Sequence, residues 1–237
     1  MQYLRAFIVA AVAVVISVSA EAGQKDLTVV ELFTSEGCSS CPPADTFVGE
    51  LADRDDILAL ALHVDYWDYI GWKDRFANPS YTQRQRDYAK QFKLRYVYTP
   101  QVVVDGAFQS VGSDRGQVLD AIAQSRKFKK IPVQLENSVE GMVLKLAKAE
   151  VGQVNVYSVF YDRSRETDVR RGENSGRKLV HANVVRDMTR LATWRGNPLE
   201  ISVPASANGG DVCAVILQSV ASGQIIGAAR LALDGKS

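Results

Sequence analysis

The sequence has little of what usually assigns a chemistry by composition. Among 237 residues there are three cysteines and two histidines, too few cysteines for a disulfide-stapled miniprotein and a sparse supply for a metal site, which wants four nitrogen and sulfur ligands. Neither sign of charge dominates. With 28 Lys+Arg against 27 Asp+Glu the net charge is +1, so the basic excess that marks a nucleic-acid-binding surface is missing. There is no internal repeat and no low-complexity tract, and beyond the N-terminal segment no uncharged run is long enough to span a bilayer. Nothing calls for a cofactor. At 46% hydrophobic and 23% charged residues, the chain has the composition of a globular protein, which excludes disorder and collagen-like repetition.

What is there begins with the N-terminus. Met1 to Arg5 carries one positive charge, Ala6 to Ser19 is uncharged and almost wholly apolar, and Ala20-Glu21-Ala22 gives a small-x-small cleavage pattern. These are the three parts of a secretory signal. The apolar run of about 14 residues is shorter than the roughly 20 that cross a membrane as a helix. The expectation is a signal peptide over residues 1–22 and a secreted or periplasmic mature chain with no membrane span.

The mature chain changes character near Lys127-Phe128-Lys129-Lys130-Ile131-Pro132. Before that point, strand and helix signals alternate. Leu27–Phe33 reads as a strand, Ala44–Ala52 as a helix with Phe47, Val48 and Leu51 on one side, and Ile57–Val64 as a strand buried on both faces. Ser80–Phe92 follows the helix-start signal Asn78-Pro79. Gln101–Asp105 and Ala107–Val111 flank the hairpin turn Asp105-Gly106. Ser113 or Asp114 caps a last helix. After residue 128 come alternating runs, Val133–Ser138, Met142–Ala149, Val154–Asp162, Leu179–Leu191, Leu199–Val203, Asp211–Val220 and Gln224–Leu233. The expected organisation is an α/β domain over residues 23–128 and an all-β, sandwich-like domain over 129–237.

Cys38-Ser39-Ser40-Cys41 is the one short motif with a specific chemistry, and it lies between a strand and a helix. A helix N-terminus favours a thiolate over a thiol. Cys38, in the loop, is expected to be the exposed attacking sulfur, and Cys41, in the first turn, the shielded resolving one. Two features moderate this. Pro42-Pro43 restricts where the helix begins, and the charge of Glu36 opposes ionisation of Cys38. Three readings stay open: thiol–disulfide exchange, a permanent Cys38–Cys41 disulfide, and metal handling. A staple across so short a loop constrains little of the unfolded chain.

The strand Leu27–Phe33, the Cys38-x-x-Cys41 helix and Tyr98-Thr99-Pro100 before a hairpin resemble the thioredoxin superfamily. The runs Glu31-Leu32-Phe33-Thr34-Ser35-Glu36-Gly37-Cys38-Ser39-Ser40-Cys41-Pro42-Pro43-Ala44-Asp45, Asp65-Tyr66-Trp67-Asp68 and Tyr98 to Gly106 are similar, more closely, to a family of secreted bacterial proteins known only as a domain of unknown function, DUF1223. The resemblance implies a thioredoxin-like fold over roughly residues 27–127 and exchange of disulfides with protein thiols or disulfides through Cys38 and Cys41. It further implies a cis-proline at Pro100, packed against the disulfide, with Thr99 presenting its backbone to an extended substrate. The chain departs from thioredoxin in its Ser-Ser dipeptide, in lacking a tryptophan before Cys38, and in having Leu32 where thioredoxins carry a buried acid.

Other candidates are weaker. Tyr66, Trp67, Tyr69, Trp72, Phe76 and Tyr81 either line a groove or cover the sheet. His63, at a strand end, joins Cys38 and Cys41 in a copper-chaperone alternative, against the plainer reading of a buried, hydrogen-bonded histidine. His181 carries no signal, and Cys213 reads as a small buried apolar residue. The stretch from Arg163 to Lys178 reads as a solvated hairpin loop rather than an anion patch.

Overall fold

A computed structural model describes residues 26–139 and 141–233; the expected signal segment, 1–22, lies outside the described residues. The first half runs β1 (Thr28–Thr34), α1 (Pro42–Ala52), β2 (Ile57–His63), α2 (Pro79–Gln91), β3 (Gln101–Val104), β4 (Phe108–Val111) and α3 (Arg115–Ser125). Seven strands follow: β5 (Gln134–Ser138), β6 (Gly141–Leu146), β7 (Val154–Asp168), β8 (Lys178–Trp194), β9 (Leu199–Val203), β10 (Val212–Ser219) and β11 (Ile225–Ala232). Among the described residues no helix is long and apolar enough to cross a membrane.

Local chemistry accounts for the elements. β1 and β2 pair in parallel and are buried at every position, which is why their sequences are nearly continuous apolar runs. Asn78 caps α2 through Ser80 N, and Asp114 caps α3 through Gln117 N, each supplying an acceptor to a first-turn N–H that lacks an intrahelical partner. Asp105 and Gly106 both have positive φ, 46° and 62°, the left-handed torsions that hairpin turns favour, and Ala107 N closes the turn onto Val104 O.

The strands form an eight-stranded mixed sheet, in the order β11-β10-β7-β8-β2-β1-β3-β4, and a three-stranded sheet, β5-β6-β9. The second half holds two facing layers, as expected, but one of them is continuous with the sheet of the first half. Four of its strands extend the sheet of the first half across the β2–β8 seam, where Ala61 pairs with Val184. Asn183, at φ 48°, completes the seam by donating from Nδ2 to Ala59 O at 2.9 Å. Val156, Cys213, Val215 and Leu217 of the large sheet pack against Leu135, Leu144, Leu146 and Val203 of the small one. On the same face, α1 and α3 cover Val30, Leu32, Ala59 and Val102. On the opposite face, Tyr81 and Tyr88 of α2 pack on Phe33, Leu60, Leu62 and Val103.

Sequence pattern could not have announced the shared sheet. Alternation along a strand reports which side of it is buried, but not which strand lies beside it.

Candidate functional site

Cys38 and Cys41 form a disulfide with a Cα–Cα distance of 5.4 Å, at the junction where β1 ends and α1 begins. Cys41 is the N-cap residue of α1, and Pro42 and Pro43 occupy its first positions. Backbone bonds from Cys38 N to Ser35 O and from Cys41 N to Cys38 O wind the loop into successive turns. The prolines bring a φ suited to a helix start but no N–H. The first backbone donor of the helix, Ala44 N, is already bonded to Cys41 O. The sulfurs thus meet the helix dipole without a cluster of free backbone donors, which limits how far it favours a thiolate.

The expected exposure of Cys38 is not what the fold gives. Both cysteines have zero solvent exposure. The cover comes from the second half of the chain. Within the stretch from Arg163 to Lys178, β7 and β8 pair as far as Asp168 and Lys178, which leaves residues 169–177 as a hairpin loop, as expected, though one with buried residues at Val169 and Asn174. Its short tip folds over the cysteine turn. Asn174, fully buried there, donates from Nδ2 to Glu36 O and to Cys38 O, both at 2.9 Å. Glu173 accepts from Ser39 N at 3.4 Å. The charges along the hairpin are partly paired, Arg165 with Asp162 and Lys178 with Glu166.

The aromatic segment builds the adjoining wall. Gly37 packs so closely on Trp67 that a Cβ placed there would sit 3.1 Å from Trp67 Cβ. Trp67 Nε1 donates to Thr99 Oγ1 at 2.8 Å, linking Thr99 to the cysteine turn through one indole ring. Trp72 Nε1 donates to Glu36 Oε2 at 2.7 Å. The Thr99–Pro100 peptide is cis. Pro100 and Ala44, in the first turn of α1, converge on Gly112, where an added Cβ would lie 3.3 and 3.1 Å from theirs. Tyr69 projects into solvent, 83% exposed.

Beside this turn lies a set of ionisable groups that sequence reasoning only partly found. His63 is buried and its Nδ1 is 2.7 Å from Asp74 Oδ2. Burial alone would push His63 down, but the charge and hydrogen bond of Asp74, with Asp45 and Glu36 beyond, hold it above its ordinary value. Burial would likewise raise Asp74, yet His63 and the N–H groups of Glu36 and Phe76 keep it below. His181, given no role above, stacks edge-on against His63 with ring centroids 4.7 Å apart. Its Nδ1 and Nε2 lie 3.7 Å from Asp45 Oδ1 and 3.9 Å from Glu36 Oε1, and neither nitrogen has a hydrogen-bond partner. The strand signal around His181 was visible, but its proximity to Cys38 depends on the β2–β8 seam. Among the described residues, no group of three or more His, Cys, Asp and Glu side chains is arranged to hold a metal ion.

A second polar cluster lies under α2. Arg84 forks onto both oxygens of Glu31, at 2.6 and 3.1 Å, and Tyr88 donates to Glu31 Oε2 at 2.5 Å. Glu31, not its neighbour Leu32, is the buried acid of β1, and it faces α2. A groove of about 730 Å³ between α2 and the β7–β10 region includes Arg84, Tyr88, Tyr157 and Gln218; none of its lining residues belongs to the cysteine turn.

Similarity to known proteins follows the whole architecture. A crystal structure of protein AGR_C_4864 from Agrobacterium tumefaciens superposes with a TM-score of 0.76 at 33% identity, over 90% of this chain and 98% of that one. HBP35 of Porphyromonas gingivalis superposes at 0.57 over 89% of this chain and 76% of its own, and at 14% identity this is a likeness of fold alone. No curated protein matches the chain. Residues 29–218, which include the cysteine turn, the aromatic segment and the covering hairpin, match the family described as protein of unknown function, DUF1223, and the chain belongs to that family.

Proposed function

We propose that the protein exchanges disulfides with other proteins through Cys38 and Cys41, acting outside the cytoplasm. The observation that carries this reading is the Cys38–Cys41 disulfide at the start of α1, directly after β1. A cysteine pair in a strand-to-helix turn is the setting of thiol–disulfide chemistry, and the β-α-β-α-β-β-α order of residues 28–125 supports a thioredoxin-like arrangement. A disulfide across so short a loop adds little as a staple. The N-terminal signal pattern supports export to a compartment where such bonds persist. In this reading Thr99 meets an extended substrate by its backbone, and its tie to Trp67, which packs on the cysteine turn, supports that role.

The chemistry balances as a two-electron exchange. A partner dithiol gives up two electrons and two protons as its own disulfide forms, and Cys38 and Cys41 take them up as thiols; the reverse oxidises a partner. Because both sulfurs are buried, a partner has to lift the Asn174 tip first. The test is the redox equilibrium of the purified protein with glutathione, together with trapping by the Cys41→Ser variant. A potential between about −270 and −120 mV with trapped mixed disulfides supports exchange; one below about −300 mV with none trapped makes the bond a staple.

A further inference from the structure

The cysteine turn is bracketed by two buried carboxylates. Glu36 precedes Cys38 by two residues, and Asp45 lies one helical turn after Cys41, its N–H bonded to Cys41 O. Asp74 joins them through Glu36 N, which donates to its Oδ2 at 2.8 Å. All three acids are at most 6% exposed. Buried charge on that scale is costly unless compensated, and the groups able to compensate it are the imidazoles of His63 and His181, which are at most 1% exposed. Hydrogen bonding is also incomplete here. His63 Nε2, both nitrogens of His181 and Glu36 Oε1 are buried without a partner, although such atoms in folded proteins are normally paired. Unspent donors and acceptors beside a redox pair are what proton uptake and release would use.

We propose that His63 and His181, with Glu36, Asp45 and Asp74, form a buried proton store that sets the thiolate fraction of the reduced Cys38–Cys41 pair. His181 is the positioning group, acting on the sulfurs through Glu36 and Asp45. The proposal rests on the exchange reading and deepens it. Reduction turns one neutral disulfide into two ionisable thiols. A thiolate in the turn that Glu36 and Asp45 flank along the chain is disfavoured by their charge, and an imidazolium at His181, between those two carboxylates, offsets the penalty. Linkage makes the effect reciprocal, so a thiolate must also raise the proton affinity of the histidines. The other groups around the compartment are accounted for. Thr34 Oγ1 donates to Asp45 and Asp68 Oδ1 accepts from Asp74 N. Trp72 donates to Glu36. The guanidinium groups of Arg75 and Arg186 lie over the ring of Phe76, which packs on both imidazoles.

The experiment titrates the reduced full-length mature protein by ultraviolet thiolate absorbance, with the Cys38→Ser, Cys41→Ser double variant as blank. It also follows the two histidine C2–H resonances in both redox states. His181→Gln, which keeps a polar side chain but loses the charge, should move the thiolate midpoint up by about one pH unit, roughly ten-fold less thiolate at a pH below it. Glu36→Gln should move the midpoint the other way, and its opposite sign guards against a mere loss of packing. In the unmutated protein the histidine titrations should shift between disulfide and dithiol. Histidine curves identical in both redox states, or thiolate midpoints unmoved by either variant, overturn the proposal while leaving exchange intact. A disulfide that excess dithiothreitol cannot reduce in the folded protein overturns the exchange reading and this proposal with it.

Discussion

Asn174 donates a 2.9 Å hydrogen bond to the carbonyl oxygen of Cys38, 136 residues earlier in the chain. The same amide group binds Glu36 O, so one side chain closes the second half of the protein over the motif of the first. The bond is buried, as are both sulfurs.

Asn174→Ala should therefore uncover the disulfide. Two buried carbonyls lose their donor, at about 1–3 kcal/mol of stability. Reduction by dithiothreitol at neutral pH should become roughly ten-fold faster, as expected if tip opening limits access and that cost falls mainly on the closed state. An unchanged reduction rate in a folded variant would show that the tip does not guard the sulfurs.

The Glu31–Arg84 pair should be a strong point of the fold. Arg84 also lies over the rings of Tyr88 and Tyr157, at 5.1 and 5.4 Å, and both partners are largely buried. Arg84→Met alone leaves Glu31 charged and uncompensated, with an expected loss of about 3–5 kcal/mol in urea unfolding. Glu31→Leu combined with Arg84→Met should recover most of it. A single variant within about 1 kcal/mol of the parent would contradict this, that being the size of an exposed pair.

The His63–Asp74 pair gives a signed pH dependence. His63 is raised above its ordinary 6.5, so its contribution is complete below 6.5 and fades as pH rises through the higher folded value. Asp74 is lowered below 3.8, so its contribution is complete above 3.8 and fades as pH falls through the lower folded value. The difference in Tm between the parent and a His63→Gln, Asp74→Asn double variant should peak between about pH 4 and 6.5 and shrink on both sides. A difference that is flat from pH 3 to 9 would remove the pair from the account of stability.

Gly106 should not tolerate a side chain. Its φ is 62°, and a Cβ there would come within 2.1 Å of the carbonyl oxygen of Gly223. Relief requires the β3–β4 turn to part from the β10–β11 turn. Gly106→Ala should cost about 2–3 kcal/mol by chemical denaturation. A neutral substitution would mean that the two turns are not in contact in solution.

The elements were legible from residues alone wherever a local cause fixed them. The apolar runs of β1 and β2, the helix start at Asn78-Pro79, a cap at Ser113 or Asp114 (the structure uses Asp114), the Asp105-Gly106 turn and the seven strands of the second half all follow from nearby side chains and backbone preferences. The cysteine pair and its strand-to-helix setting were equally plain, as was a buried, hydrogen-bonded His63. Strand partners were not, because burial alternation is the same whichever neighbour a strand finds. Hence the second half read as a sandwich of its own, although β7, β8, β10 and β11 join the first sheet. The covered state of Cys38 and the company of His181 had the same cause. Each depends on β8 lying beside β2, a contact between residues more than a hundred positions apart. By itself the sequence determined the cysteine-pair turn and the elements around it; the tertiary structure alone decided that a distant hairpin folds over the turn and places a second histidine among its acids, because both are consequences of strand order rather than of any local pattern.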